Sequence, residues 1–182
     1  MSSSEDVCHL KNQYEGERIF ILGNGPSISE TPLEKFESEY TLAFNNIGEI
    51  YSDTEWRPSF YYNFQGPNNR FAPDDLDIVL ENVRNDSICF LSPRWSDVIE
   101  QGKDIYHLRK WGLHHTPFHE MTRQDIKEYR IDYLLDFWSD HITNFVYQYH
   151  SMYGGIQVAA YLGFNEIYFV GCDLGMEYKN PH

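Results

Sequence analysis

Arg18-Ile19-Phe20-Ile21-Leu22 runs straight into Gly23-Asn24-Gly25-Pro26-Ser27. An apolar run that stops abruptly at Gly and Pro reads as a fully buried strand followed by a Gly-rich turn. Just downstream, Thr31-Pro32-Leu33-Glu34 offers an N-cap, a proline at the first helical position and an acid in the first turn. The unit is therefore read as strand, phosphate-type loop, short helix.

The same grammar recurs along the chain. Tyr40–Phe44 is a strand ending at Asn45-Asn46, and Phe60–Asn63 is another, preceded by the breaker Arg57-Pro58. Pro73-Asp74-Asp75-Leu76-Asp77 opens a helix towards Arg84, and Ser87–Leu91 is a strand closed by Ser92-Pro93. Ser151–Leu162 reads as a helix, with Gly154, Gly155, Ala159 and Ala160 as small residues for close helix–sheet packing; Glu166–Val170 is a final strand ending at Gly171-Cys172-Asp173. Residues 95–140 are rich in aromatics, histidines and charges, with a helical period clearest from Arg123 to Phe137. Strands alternating with helices predict an α/β fold, a single Rossmann-like domain with a mainly parallel sheet. Residues 1–16 are expected to be a flexible or loosely docked lead-in, and 17–182 the nucleotide-binding domain. No internal repeat interrupts this pattern.

Composition narrows the function. The 182 residues carry 14 Lys+Arg against 28 Asp+Glu, a formal charge of −14. That balance argues against a nucleic-acid binder, which neutralises phosphates with Lys and Arg, and against a basic membrane-surface protein. The hydrophobic fraction of 41% excludes a disordered acidic tail. An acidic protein that binds an anionic nucleotide must use backbone N–H groups, helix N-termini and neutral amides. Cys8, Cys89 and Cys172 are far apart and odd in number, so three reduced thiols are expected rather than a disulfide framework. Met1–Gly16 lacks the apolar stretch of a signal peptide, and no apolar run approaches the ~20 residues of a membrane span. The expected location is the cytoplasm.

Polar residues gather where strands end: Asn24 and Ser27 after the first, Asn45 after the second, Asn63 at the third, Gly171 and Asp173 after the last. In an open parallel sheet, ligands bind at the carboxyl ends of the strands. Gly23 and Gly25 would let backbone approach a ligand, or would simply make a tight turn. The loop lacks the GK[ST] ending of a P-loop and is not GxGxxG. Asn45 and Asn63 can donate and accept, which suits ribose hydroxyls, a base edge or phosphate oxygens; either could equally just terminate a strand. Ser151 is a natural N-cap, and a helix start also attracts anions. Asp173 is a ligand contact or a turn residue. His114, His115 and His119 lack a Cys or carboxylate to complete a ligand set, and Asp75 and Asp77 are acids of a helix start, so no metal site is expected.

At these residues the chain resembles a known group. Gly23-Asn24-Gly25-Pro26-Ser27, Asn45, Asn63 in Phe60-Tyr61-Tyr62-Asn63, and the block Ile156–Asp173 look like one superfamily. It contains the bacterial CMP-sialic-acid-dependent sialyltransferases of the Campylobacter type, surface-polysaccharide proteins of unknown function, and the archaeal-type hydroxymethylpterin pyrophosphokinases. The resemblance covers roughly residues 18–65 and 138–178 and implies a GT-A-like fold. By carry-over, Asn24, Asn45 and Asn63 would bind the CMP part of a sugar donor, and Ser151 matches a helix-start serine of the donor site. Asn rather than an acid at position 63 favours the sialyltransferase branch over the pterin kinases. The resemblance thus implies a glycosyltransferase of surface glycan biosynthesis, with a nucleotide-sugar donor, a glycan acceptor and no cofactor. The alternatives are an ATP-dependent pyrophosphokinase, which would recruit Mg²⁺ with ATP, or a non-catalytic nucleotide- or glycan-binding module. The family's catalytic histidine lies beyond the last strand, whereas this sequence stops at Asn180-Pro181-His182. No catalytic residue is therefore assigned, and the chain is read as a fragment or as a shortened, inactive homologue. A homo-oligomer is left open.

Overall fold

A computed structural model of the chain describes residues 7–67, 75–99, 104–108, 110, 111, 142, 146, 147 and 150–173. Ten elements organise them: β1 (Arg18–Leu22), β2 (Tyr40–Phe44), β3 (Phe60–Asn63), α1 (Asp75–Arg84), β4 (Ile88–Leu91), β5 (Ile105–His107), β6 (Lys110–Trp111), β7 (Val146–Tyr147), α2 (Ser151–Leu162) and β8 (Glu166–Val170). Six strands form one sheet in the order β5-β4-β3-β2-β1-β8. Every pairing in it is parallel. The predicted Rossmann-like α/β architecture is thus present. A two-stranded parallel ribbon of β6 and β7 stands apart; strands so short carry no sequence signal.

The central strands are apolar because both faces are covered. On one face, Ile19, Ile21, Leu42, Phe60, Tyr62 and Phe90 pack beneath α2. On the other, Leu22, Ala43, Tyr61, Cys89 and Leu91 pack beneath α1 and a series of 3-10 turns. The period of two along β3 sends Phe60 and Tyr62 one way and Tyr61 the other. Each large side chain buried this fully contributes about 1.5–3 kcal/mol. β8 differs: it forms the sheet edge, and Tyr168 and Phe169 remain 44% and 48% exposed.

Helix α2 lies close on the sheet. A Cβ on Gly155 would collide with the Phe44 ring and crowd Leu42. Gly154, Gly155 and Ala159 are buried as expected, but Ala160 is exposed, because it falls on the outer side of the helix. The N-cap of α2 is His150, whose Nδ1 accepts from the Met152 N–H, and Ser151 is the first helical residue. The short helix expected at Thr31 is instead a four-residue 3-10 turn, Leu33–Phe36, entered from Pro32 with no side-chain cap. Only Leu33 and Phe36 reach the core there, and their spacing of three suits three residues per turn.

The expected lead-in is docked over its described part. Val7 and Leu10 are 3% exposed, Asn12 donates to the Tyr161 carbonyl, and Tyr14 donates to that of Leu162. Tyr14 also stacks on Phe164 at 5.0 Å. Cys8, Cys89 and Cys172 are free thiols. Among the described residues no helix is long and apolar enough to cross a membrane.

Candidate functional site

All the predicted site residues sit at or near the carboxyl edge of the sheet, and the fold divides them into three groups. β1 has β2 on one side and β8 on the other, so the chain changes direction across it; such a switch point is the usual ligand crevice of an open parallel sheet. Here that crevice is closed by the protein itself. The Gly23 N–H donates to the Val170 carbonyl and that of Gly25 to the Gly171 carbonyl, both at 2.8 Å. Asp173 then clasps Ser27, accepting from its backbone N–H at 2.8 Å and its hydroxyl at 2.7 Å. The Ser27 N–H, followed by the hydroxyl, holds the Asp173 carboxyl below its ordinary range. A Cβ at Gly25 would lie 2.5 Å from the Asp173 Oδ2, and one at Gly23 would lie 2.5 Å from the Gly171 carbonyl oxygen. These glycines therefore admit the neighbouring loop. Gly23, Ser27, Gly171 and Asp173 form this clasp.

The open space lies one strand further along. A cavity of about 460 Å³ opens between the loops that follow β1, β2 and β3. Asn24, Gly25 and Asn45 line it, together with Asn46, Glu49 and Gln65, and Ile28, Ile47 and Ile50 supply apolar wall. Four side-chain amides meet one carboxylate, and no Lys or Arg lines the space among the described residues. The Asn46 Nδ2 donates to the Glu49 Oε1 at 3.1 Å, which engages part of that carboxylate. Asn24 ties the β1 loop to the end of β2 by donating from Nδ2 to the Phe44 carbonyl at 3.1 Å.

Asn45 is the pivot of the cavity. It adopts a left-handed backbone at φ 42°, a conformation that asparagine tolerates better than most residues. Its Nδ2 donates to the Ser151 Oγ at 3.1 Å, linking β2 to the start of α2. Its carbonyl accepts from the Tyr61 hydroxyl at 2.7 Å. Its Oδ1 is buried without a hydrogen-bond partner among the described residues. An orphaned amide oxygen costs free energy, about 1–3 kcal/mol, until a donor reaches it.

Asn63 does not line the cavity. It is fully buried, and it donates from Nδ2 to the Tyr61 hydroxyl at 3.0 Å. Its Oδ1 accepts from the Gln65 N–H at 2.9 Å and the Trp95 indole N–H at 3.4 Å. The result is one row of hydrogen bonds, Trp95–Asn63–Tyr61–Asn45–Ser151, running under the carboxyl edge from the end of β4 to α2. Asn63 and Ser151 thus hold Asn45 from its two sides.

Asn46, Glu49 and Gln65 were missed by sequence reading. The Asn45-Asn46 doublet was a usable signal, and Gln65 continues the period of two from Asn63. Glu49 gave none, because an exposed acid in a turn is commonplace. Among the described residues no group of three or more His, Cys, Asp or Glu is placed to hold a metal. His114, His115 and His119 lie outside the described residues. The Rossmann-like sheet with a polar cavity at its carboxyl edge is consistent with a nucleotide-binding enzyme or binding module in general. No protein-family model and no curated protein matches the sequence, so the reading of the site rests on its own residues.

Proposed function

We propose that the chain binds a CMP-linked sugar in this cavity and belongs to a glycosyltransferase of sialyltransferase type, acting in surface glycan biosynthesis. The observation that carries the reading is the cluster of Asn24, Asn45, Asn46 and Gln65 around the cavity, with a buried and unpartnered Asn45 Oδ1. That oxygen suits a donor such as a ribose hydroxyl or the exocyclic amine of a base. Amides rather than cations also fit a nucleoside, whose hydrogen-bonding groups are neutral. In this reading the sugar would transfer by direct attack of an acceptor hydroxyl with inversion, and the protein's contribution would be positioning and stabilisation of the departing phosphate charge.

Calorimetric titration of CMP and of ATP, each with and without Mg²⁺, tests the reading on wild type and Asn45→Ala. CMP should bind more tightly than ATP, without need of Mg²⁺. Asn45→Ala should weaken CMP by about 1–3 kcal/mol. Tighter, Mg²⁺-dependent ATP binding would replace the transferase reading with pyrophosphoryl transfer. CMP binding with no turnover of a CMP-sugar, when glycan acceptor is supplied, would reduce it to a binding module.

A further inference from the structure

Among the described residues no cation lines the cavity, yet a nucleotide carries a phosphate. The described stretches that directly follow the strands of the large sheet, 23–30, 45–50, 64–67, 92–97, 108 and 171–173, contain one Lys or Arg, and it is Arg94. It sits in the 3-10 turn Pro93–Asp97. That turn is bolted to the end of β3: the Ser92 N–H donates to the Asn63 carbonyl at 2.9 Å, and fully buried Trp95 donates to the Asn63 Oδ1 at 3.4 Å. The backbone of Arg94 is therefore fixed while its side chain is exposed.

The stem of Arg94 lies over Gly66. A Cβ placed on Gly66 would meet the Arg94 Cδ at 3.0 Å and its Cβ at 3.1 Å. Gly66 has φ 91°, so a side chain there would be strained as well as crowded. The residue before it, Gln65, lines the cavity. The stem of Arg94 thus lies beside the residue that follows Gln65, next to the cavity wall. Arg18 and Arg57 are paired with Glu39 and Glu81. Arg94, by contrast, has no ion pair or hydrogen bond among the described residues. In a chain of net charge −14, a cation at the carboxyl edge with no partner among the described residues is suited to an incoming anion.

We propose that Arg94 is the anion-recognising residue of the cavity. The nucleoside lies among Asn24, Asn45, Asn46 and Gln65, and the phosphate sits at the Gln65–Gly66 rim, where the guanidinium closes over it with paired N–H donors. This rests on the nucleotide reading above and adds to it the residue that separates a nucleotide from a nucleoside.

The test compares cytidine with CMP by calorimetry on wild type, Arg94→Gln and Arg94→Lys, at low and raised salt, with thermal unfolding run on each variant. In wild type, CMP should bind at least about 10-fold more tightly than cytidine, and the difference should shrink with salt. Arg94→Gln should bring CMP close to the cytidine value and leave cytidine unchanged, while Arg94→Lys keeps part of the preference. A CMP-to-cytidine ratio that Arg94→Gln leaves intact overturns the role of Arg94 alone, whether both affinities hold or both fall together. Failure of wild type to bind either ligand overturns the nucleotide reading and this inference with it.

Discussion

Two regions of the carboxyl edge both read as ligand loops in the sequence and differ in structure. The loops after β1 and β8 carry Gly23, Gly25, Gly171 and an acid, the ingredients of a phosphate loop, and they close on each other. The loops after β2 and β3 bring Asn45, Asn46 and Gln65 together with the outer side of the β1 loop, and they leave a cavity with an Asn45 oxygen unpartnered among the described residues. Glycine marks where something approaches the backbone, and here the approaching group is the next loop. An unpartnered polar atom marks a ligand better only where a cavity lies beside its residue, as at Asn45; Trp56 Nε1, Tyr62 Oη, Ser92 Oγ and His107 Nε2 are unpartnered too among the described residues, and none of those residues lines this cavity.

The contrast can be broken most forcefully at the clasp. Gly23→Ala would drive a methyl into the Gly171 carbonyl, which is backbone and cannot swing away. It should destabilise the protein by about 2–3 kcal/mol, read as a lowered midpoint of urea unfolding, because overpacking forces backbone shifts. Unaltered stability would mean that the loops are not in contact.

Asn63→Ala tests the support beneath the cavity. It removes partners from the Gln65 N–H, the Trp95 indole and the Tyr61 hydroxyl at once. The expected loss is about 1–3 kcal/mol of stability, with weaker CMP binding as a secondary effect. A variant that loses CMP affinity at full stability would place Asn63 against the ligand rather than below it.

Asn45→Gly separates fold from binding. Glycine suits φ 42° but loses the amide. Stability should change by less than about 1 kcal/mol, because relief of the left-handed backbone and removal of the orphaned oxygen offset the added chain entropy and the lost bond to Ser151. CMP affinity should fall about tenfold. A large loss of stability instead would make Asn45 a structural strut.

The smallest effect concerns acid. Asp173 has a depressed folded pKa, so its contribution is present above the ordinary carboxylate range and is lost as pH falls through the depressed value. Asp173→Asn should therefore lower stability slightly at neutral pH and flatten its decline below about pH 4. Identical acid limbs for the two proteins would show that the clasp does not titrate.

Much of the fold was legible because it is written in short-range terms. Arg18–Leu22, Tyr40–Phe44, Ser151–Leu162 and Glu166–Val170 declare themselves by apolar runs and by the residues that stop them. The turns after β1 misled, because Thr31-Pro32 looks like a helix start while the tertiary packing asks only for Leu33 and Phe36. The site was legible as an edge but not as an arrangement. No local pattern tells that Asn63 turns inward to Tyr61 and Trp95, or that Asn45 meets Ser151 from 106 positions away. Arg94 was hidden for the same reason, since only the fold lays it across Gly66.

The row Trp95–Asn63–Tyr61–Asn45–Ser151 has a thermodynamic consequence. Tyr61 donates to Asn45 and accepts from Asn63, so each bond polarises the next. Perturbations at its two ends will not add. Once Asn63→Ala has loosened Tyr61, Ser151→Ala has less left to take away, and the double variant should be less damaged than the two singles combined. The shortfall measures the coupling between the two ends of the row, a quantity that no single variant reveals.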